Sequence, residues 1–185
     1  MSGGFIVVLA ILAFAAVTIF KGVRIVPQGY KWIVQRLGKY HTTLNPGLNF
    51  VIPYVDEVAY KVTTKDIVLD IPSQEVITRD NAVLLMNAVA YINITTPVNA
   101  VYGIENYTWA IQNLVQTSLR SIVGEMDLDD ALSSRDHIKA KLKAAISDDI
   151  SDWGITLKTV EIQDIQPSST MQAAMEAQAA AERQR

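Results

Sequence analysis

No charged side chain occurs between Ser2 and Phe20, and Phe5–Phe20 reads FIVVLAILAFAAVTIF. This stretch constrains everything that follows, because a helix apolar on all sides has no face to show to water. Its sixteen residues span about 24 Å as a helix. A bilayer's hydrocarbon core needs about 30 Å, so Ser2–Gly4 and the stems of Lys21 and Arg24 must supply the remainder. A buried core helix would need a solvated side, which the run does not make. A cleaved leader is the other competitor, with Ala13-Phe14-Ala15 as a small-residue cleavage site. Leaders carry positive charge before the apolar run, and here it comes after. The reading is a membrane anchor over residues 1–22, with Phe5, Leu9, Leu12, Phe14 and Phe20 against lipid.

Orientation follows from the same asymmetry. Nothing basic precedes Phe20, whereas Lys21, Arg24, Lys31, Arg36 and Lys39 follow closely. Positive flanks stay on the cytoplasmic side. The N-terminus is therefore expected outside and the body in the cytoplasm.

Past the anchor, Arg24–Gly38 is rich in β-branched and aromatic residues and punctuated by Pro27 and Gly29, which predicts a strand entered through a turn. Asn45-Pro46-Gly47 is a turn signal before the apolar run Leu48–Tyr54, and Pro53 bars that run from the middle of a sheet. Ile67–Ile71 and Glu75–Thr78 read as strands split by Pro72, and Asp80-Asn81 turns the chain into Val83–Ile94. There Leu84, Met86, Ala88, Ala90, Ile92 and Ile94 share one face, a period of two with one wholly apolar side.

After Pro97 the period becomes helical. Tyr107, Ile111, Leu114, Val115, Ser118, Leu119 and Ile122 recur at three- and four-residue steps until Gly124. A second helix begins near Ser134, with Ile138, Leu142, Ala145 and Ile146 on its stripe. Gly154 breaks it, and Ile155–Ile165 reads as a returning strand. Strands, then helices, then one strand define an α+β fold rather than alternating βαβ units. Beyond Pro167, Ser169 and Gln172 form a capping-box pattern opening an Ala/Glu/Arg-rich helix over Met171–Arg185. Neither Gly nor Pro stops this helix, and it is expected to continue past residue 185.

The inventory for chemistry is thin. A formal net charge of −3 leaves no cationic excess for a nucleic-acid surface. With no cysteine there is no disulfide, thiolate nucleophile or zinc ribbon. His41 and His137 are far apart, and neither neighbourhood arranges the carboxylates a metal would need. No phosphate-binding glycine loop and no nucleophile elbow occur. Ser133-Ser134-Arg135-Asp136-His137 crowds a serine, an acid and a histidine together, but a triad needs them converging in space. The plainer reading is a helix start, capped by Ser133 or Ser134 with Asp136 on the dipole. Asp127-Leu128-Asp129-Asp130 resembles a cation loop until Ala131 and Leu132 occupy the positions where an EF-hand needs an oxygen ligand and glycine. Acids opening a short helix explain it better. Trp32 and Tyr54, near the anchor, fit an aromatic belt at the bilayer surface as well as they fit a core. No cofactor, metal or catalytic residue is expected.

These residues resemble a known family. Val26-Pro27-Gln28-Gly29-Tyr30 after an N-terminal span, and Gln35–Pro53 (QRLGKYHTTLNPGLNFVIP), are similar to the opening of the stomatin/prohibitin/flotillin, or SPFH (band 7), domain. Leu69–Ala82, Arg120–Asp136 and Trp153–Pro167 resemble its stomatin-like branch, with the bacterial QmcA type as the comparison that fits best. One departure is AQAAAERQR near the C-terminus, richer in alanine than the family's charged helix start.

The resemblance implies an SPFH1 β-rich subdomain over 23–95, an SPFH2 α/β subdomain over 96–167, and the start of a long coiled-coil helix over 168–185. It also implies a non-enzymatic scaffold whose rings or cages organise membrane microdomains and regulate membrane proteins or proteases. The implied partners are the lipid bilayer, further copies of the chain, and an NfeD-type membrane protein or membrane protease. From the residues themselves, Trp32 joins the expected membrane-contact set through the aromatic belt. Phe50 and Ile52 join it because Leu48–Ile52 is too apolar for a free loop and is expected to dip into the adjacent leaflet or pack on a neighbouring subunit's anchor. Met171, Ala174, Met175, Gln178 and Ala181 form the expected oligomerisation stripe. The competing readings are a membrane-anchored enzyme with catalytic residues beyond residue 185, and a monomeric adaptor for one membrane partner.

Overall fold

The computed structural model describes residues 2–183. Helix α1 (Ser2–Gly22) carries the uncharged run, and every side chain from Phe5 to Phe14 is exposed. Its lone hydroxyl after Ser2, on Thr18, donates to the Phe14 carbonyl at 2.8 Å. That bond leaves the polar group satisfied inside its own helix, which is what a lipid environment demands. The chain separates into two compact units, Met1–Lys65 and Asp66–Arg185. The boundary expected between residues 95 and 96 falls inside the second unit.

In the first unit, α1 passes into strand β1 (Val23–Val26) with no intervening loop. Over Arg24–Gly38 the expected strand entered through a turn is β2 (Tyr30–Arg36), and a further strand, β1, precedes the turn. Pro27 lacks an N–H and Gly29 adopts φ +87°, so the ladder breaks between them. β2 lies between β3 (Lys39–Leu44) and β5 (Asp56–Thr63), antiparallel to both. β4 (Gly47–Phe50) pairs with β1 alone, so the predicted apolar run ends its ladder well before Pro53. A small core of Val26, Val34, Leu44 and Val51 holds these pieces together.

The second unit is built on a sheet in the order β6-β7-β8, with β6 Ile67–Ile77, β7 Val83–Ile94 and β8 Ile155–Pro167. The predicted apolar face of β7 is fully inside: Leu84, Met86, Ala88, Ala90, Ile92 and Ile94 are all buried. Pro72 does not split β6 into two strands. Its register against β7 shifts between Ile71 and Gln74, and this bulge takes up the residue that cannot donate.

Helices α2 (Pro97–Tyr102), α3 (Tyr107–Gly124), α4 (Leu128–Ser133) and α5 (Arg135–Asp152) connect β7 to β8. α3 packs on β6 and on α5, and α5 packs on β8. Ile111, Val115, Leu119, Ile122 and Val123 line one buried stripe, and Ile138, Leu142, Ile146 and Ile150 the other. Ala145, expected inside, is exposed, and Ile150 takes the fourth place one turn beyond Ile146.

Two helix starts differ from expectation. Ser134 stands at the start of α5 without a side-chain capping bond, and the Ser133 hydroxyl donates backward to the Asp129 carbonyl at 2.7 Å. The helix α6 (Ser169–Arg183) is capped by Ser168, not Ser169: its Oγ accepts from the Met171 N–H at 3.3 Å.

Candidate functional site

The Ser133/Asp136/His137 cluster does not assemble a triad, since the Ser133 hydroxyl is spent on the Asp129 carbonyl. The acids at 127–130 are bound up in structure as well. Asp127 is gripped by the Arg79 guanidinium, while Asp80 accepts the Leu128 N–H through both carboxylate oxygens at 3.2 Å. Asp80 thus caps α4 from another part of the chain, and hydrogen bonds from Thr78 and Leu128 hold its carboxyl below the ordinary range. Among the described residues no group of three His, Cys, Asp or Glu side chains is placed to hold a metal ion.

The outstanding surface lies in the first unit, at the C-terminal end of α1. The Val51 N–H donates to the Gly22 carbonyl at 2.8 Å, and the β1–β4 register sets Val23 opposite Phe50 and Ile25 opposite Leu48. A Cβ on Gly22 would lie 2.8 Å from the Val51 oxygen, so the turn after β4 can approach the end of α1 this closely only past a glycine. Phe20, Ile25, Leu48, Phe50, Ile52 and Tyr54 stand exposed together around this junction, Phe20 at 80%. Val51, grouped by sequence with the exposed run, turns into the core instead.

The remaining members of the expected membrane-contact set are placed as follows. Phe5, Leu9, Leu12 and Phe14 are exposed along α1. Trp32 is half-buried, packs on the small core, and lies beneath the Lys61 ammonium at 4.5 Å from the ring centre. Ile25 was missed by sequence reasoning, because its place beside Leu48 depends on the pairing of two distant strands.

On the oligomerisation stripe, Ala174, Met175 and Ala181 are exposed and Met171 is half-buried. The side chain of Gln178 lies outside the described residues, as do Gln184 and Arg185 at the end of the expected helix.

Charge is arranged tightly around the junction. Arg36 grips Asp56 with both forks, Nε to Oδ1 at 2.6 Å and a terminal nitrogen to Oδ2 at 3.0 Å. The Ile52 N–H donates to the same carboxylate at 2.9 Å. The guanidinium chiefly, with that N–H, holds the Asp56 pKa down to about 2 against burial, which acts to raise it. Because the folded pKa lies below the ordinary 3.8, Asp56 contributes stability that is complete above that value. That contribution is lost as pH falls toward about 2. Asp56→Asn is expected to flatten this stretch of the stability profile. Denaturant unfolding at several pH values between 5 and 2 checks it; an unchanged slope counts against the ion pair.

The family described as "SPFH domain / Band 7 family" matches residues 24–185. An uncharacterized protein of Mycobacterium tuberculosis is 35% identical over 182 residues, 98% of this chain and 48% of that protein. A stomatin homolog of Pyrococcus horikoshii is 39% identical over 181 residues, 98% of this chain and 68% of the homolog. A stomatin homolog of Pyrococcus abyssi is 39% identical over the same length and covered to 67%. The chain belongs to the SPFH domain / Band 7 family. It spans about half the length of the mycobacterial relatives it matches. Among the described residues, α1 is long and apolar enough to cross a membrane.

Proposed function

We propose that this protein is a membrane-anchored scaffold of the stomatin type whose copies assemble into a ring or cage. The assembly would organise a membrane microdomain and regulate membrane proteins or proteases held within it. The observation that carries the reading is the junction of α1 with the β1–β4 ladder. A helix with no solvated face runs straight into a small domain whose exposed apolar side chains gather at that helix's end. Such a patch on a soluble surface marks an interaction site, and beside an apolar helix end the partner at hand is the bilayer. The basic residues following α1 support an outward N-terminus and a cytoplasmic body.

Within this proposal the QmcA type is the subfamily, and an NfeD-type membrane protein or a membrane protease is the client class. Native mass measurement of protein extracted in mild detergent tests the assembly. Large closed particles support the scaffold, and a monomer bound to one membrane partner replaces it with an adaptor.

The junction itself is tested by Phe50→Asp with Ile52→Asp. Both side chains are exposed, so the domain is expected to stay folded while membrane partition or ring formation weakens. Each aspartate placed near the hydrocarbon boundary costs up to about 1 kcal/mol. Flotation with liposomes and circular dichroism read the two effects separately; unfolding of the soluble domain would make these residues ordinary core.

A further inference from the structure

Beside the junction, the first unit holds a cleft of about 400 Å³ lined by Lys21, Arg24, Val51, Pro53, Tyr54 and Asp56. We infer that this cleft seats the headgroup of an anionic phospholipid, its phosphodiester between Lys21 and Arg24. Three observations converge on that occupant.

The first is charge. Lys21 and Arg24 form none of the ion pairs found among the described residues. The acid in the cleft, Asp56, is already committed to Arg36 and the Ile52 N–H. Two cations are thus left without a counter-charge, and a ligand with net negative charge complements them better than a zwitterion.

The second is depth. Phe20 is the last residue of the uncharged run and Lys21 the first charge, so in an anchored chain the hydrocarbon boundary falls at Phe20 and the cleft opens at headgroup level. The third is shape. Next to the cleft, and sharing Arg24, Val51 and Asp56 with it, lies a larger cleft of about 760 Å³ whose other walls include Phe20, Ile25 and Trp32. Glu57 and Lys61 also border it. The apolar walls suit the glycerol and upper acyl segments of a lipid, continuous with a polar seat for its phosphate. Tyr54 closes the seat, held at φ +74° with the Lys21 ammonium 5.8 Å from its ring centre. A non-glycine residue kept in that region marks a position the surroundings enforce.

The inference rests on the anchored reading, so the test separates the two. The full chain in a neutral detergent is titrated with dihexanoyl phosphatidylglycerol, and with dihexanoyl phosphatidylcholine and inorganic phosphate as comparison ligands. Saturable binding of the phosphatidylglycerol is expected. It should weaken about tenfold or more in the Lys21→Gln/Arg24→Gln double variant, as loss of charge-assisted bonds requires. It should return in Lys21→Arg/Arg24→Lys. Equal binding by the Gln variant overturns the site. Inorganic phosphate binding as tightly as the lipid makes it a free-anion site, and phosphatidylcholine binding as tightly removes the charge argument; either result overturns the inference. Alkaline carbonate extraction of membranes reads the anchor independently. Wild type and Gln variant both staying with the membrane upholds the anchored premise, whereas release of the wild type removes the anchor and the lipid source together.

Discussion

Replacing Gly154 with alanine is expected to lower the stability of the second unit by about 2–4 kcal/mol. Gly154 follows α5 and precedes β8 at φ +68°, the left-handed region that an alanine enters only against its own Cβ. The added Cβ would also lie 2.4 Å from the Thr96 carbonyl oxygen, 2.8 Å from the Thr96 Cβ and 3.0 Å from the Asn99 Cβ. Backbone, not the tip of a flexible side chain, is in the way. The carbonyl of Gly154 meanwhile accepts from the Thr95 N–H, the Thr96 N–H and the Thr95 hydroxyl at 2.9, 2.9 and 3.0 Å. Moving the glycine therefore strains three hydrogen bonds that fasten the end of β7 to the start of β8. Gly38→Ala is the comparison: its φ is +81°, but nothing lies within 4 Å of its added Cβ. It should cost only the conformational part, about 1–2 kcal/mol. Urea unfolding of the detergent-solubilised variants, followed by tryptophan fluorescence, reads both. A Gly154→Ala loss no larger than that of Gly38→Ala would refute the steric argument.

Ending the chain after Ser168 is expected to abolish large particles while leaving a folded, membrane-bound protein. The cut is set there because the Ser168 N–H donates to the Val83 carbonyl at 2.9 Å and its side chain is buried. From Gln172 to Ala181 the described side chains of α6 are exposed, including Ala174, Met175 and Ala181. An isolated helix of this length is marginal in water even when rich in alanine. Small side chains allow identical helices to lie close, and a closed ring repeats one weak contact around its circumference. Repetition then holds what a single pair cannot. Native mass and single-particle imaging of the shortened protein decide the matter. Closed particles that persist without α6 would move the assembly interface into the α+β body.

What the sequence made legible was local. β7 could be bounded at both ends because twelve residues alternate with one wholly apolar side. α3 showed itself because Ile111, Val115, Leu119 and Ile122 keep a helical step over several turns. α2 is only six residues long, too short for any period to declare itself. Ser168 and Ser169 are adjacent and chemically alike, so pattern alone could not say which caps α6. Ala145 and Ile150 differ by a rotation about the helix axis that a single methyl group does little to mark.

Non-local arrangements were invisible for a deeper reason. Asp80 caps a helix that begins 48 residues later, and Arg36 meets Asp56 across 20. For the candidate site, the apolar character of Leu48, Phe50 and Ile52 was evident from the start. Their place at the anchor's end was not, because it is set by the pairing of β4 with β1.

The passage from α1 to β1 without a loop would make an anchored α1 a lever rather than a tether. Gly22 ends the helix, Val23 begins the strand, and the Val51–Gly22 hydrogen bond braces the corner. A transmembrane helix longer than the local bilayer adjusts by tilting, and a shorter one by thinning the lipid around it or by snorkelling of its flanking side chains. In a chain hinged by a flexible linker, that tilt would dissipate before reaching the domain. With no linker between α1 and β1, a reorientation of the helix would pass directly into the strand that follows it.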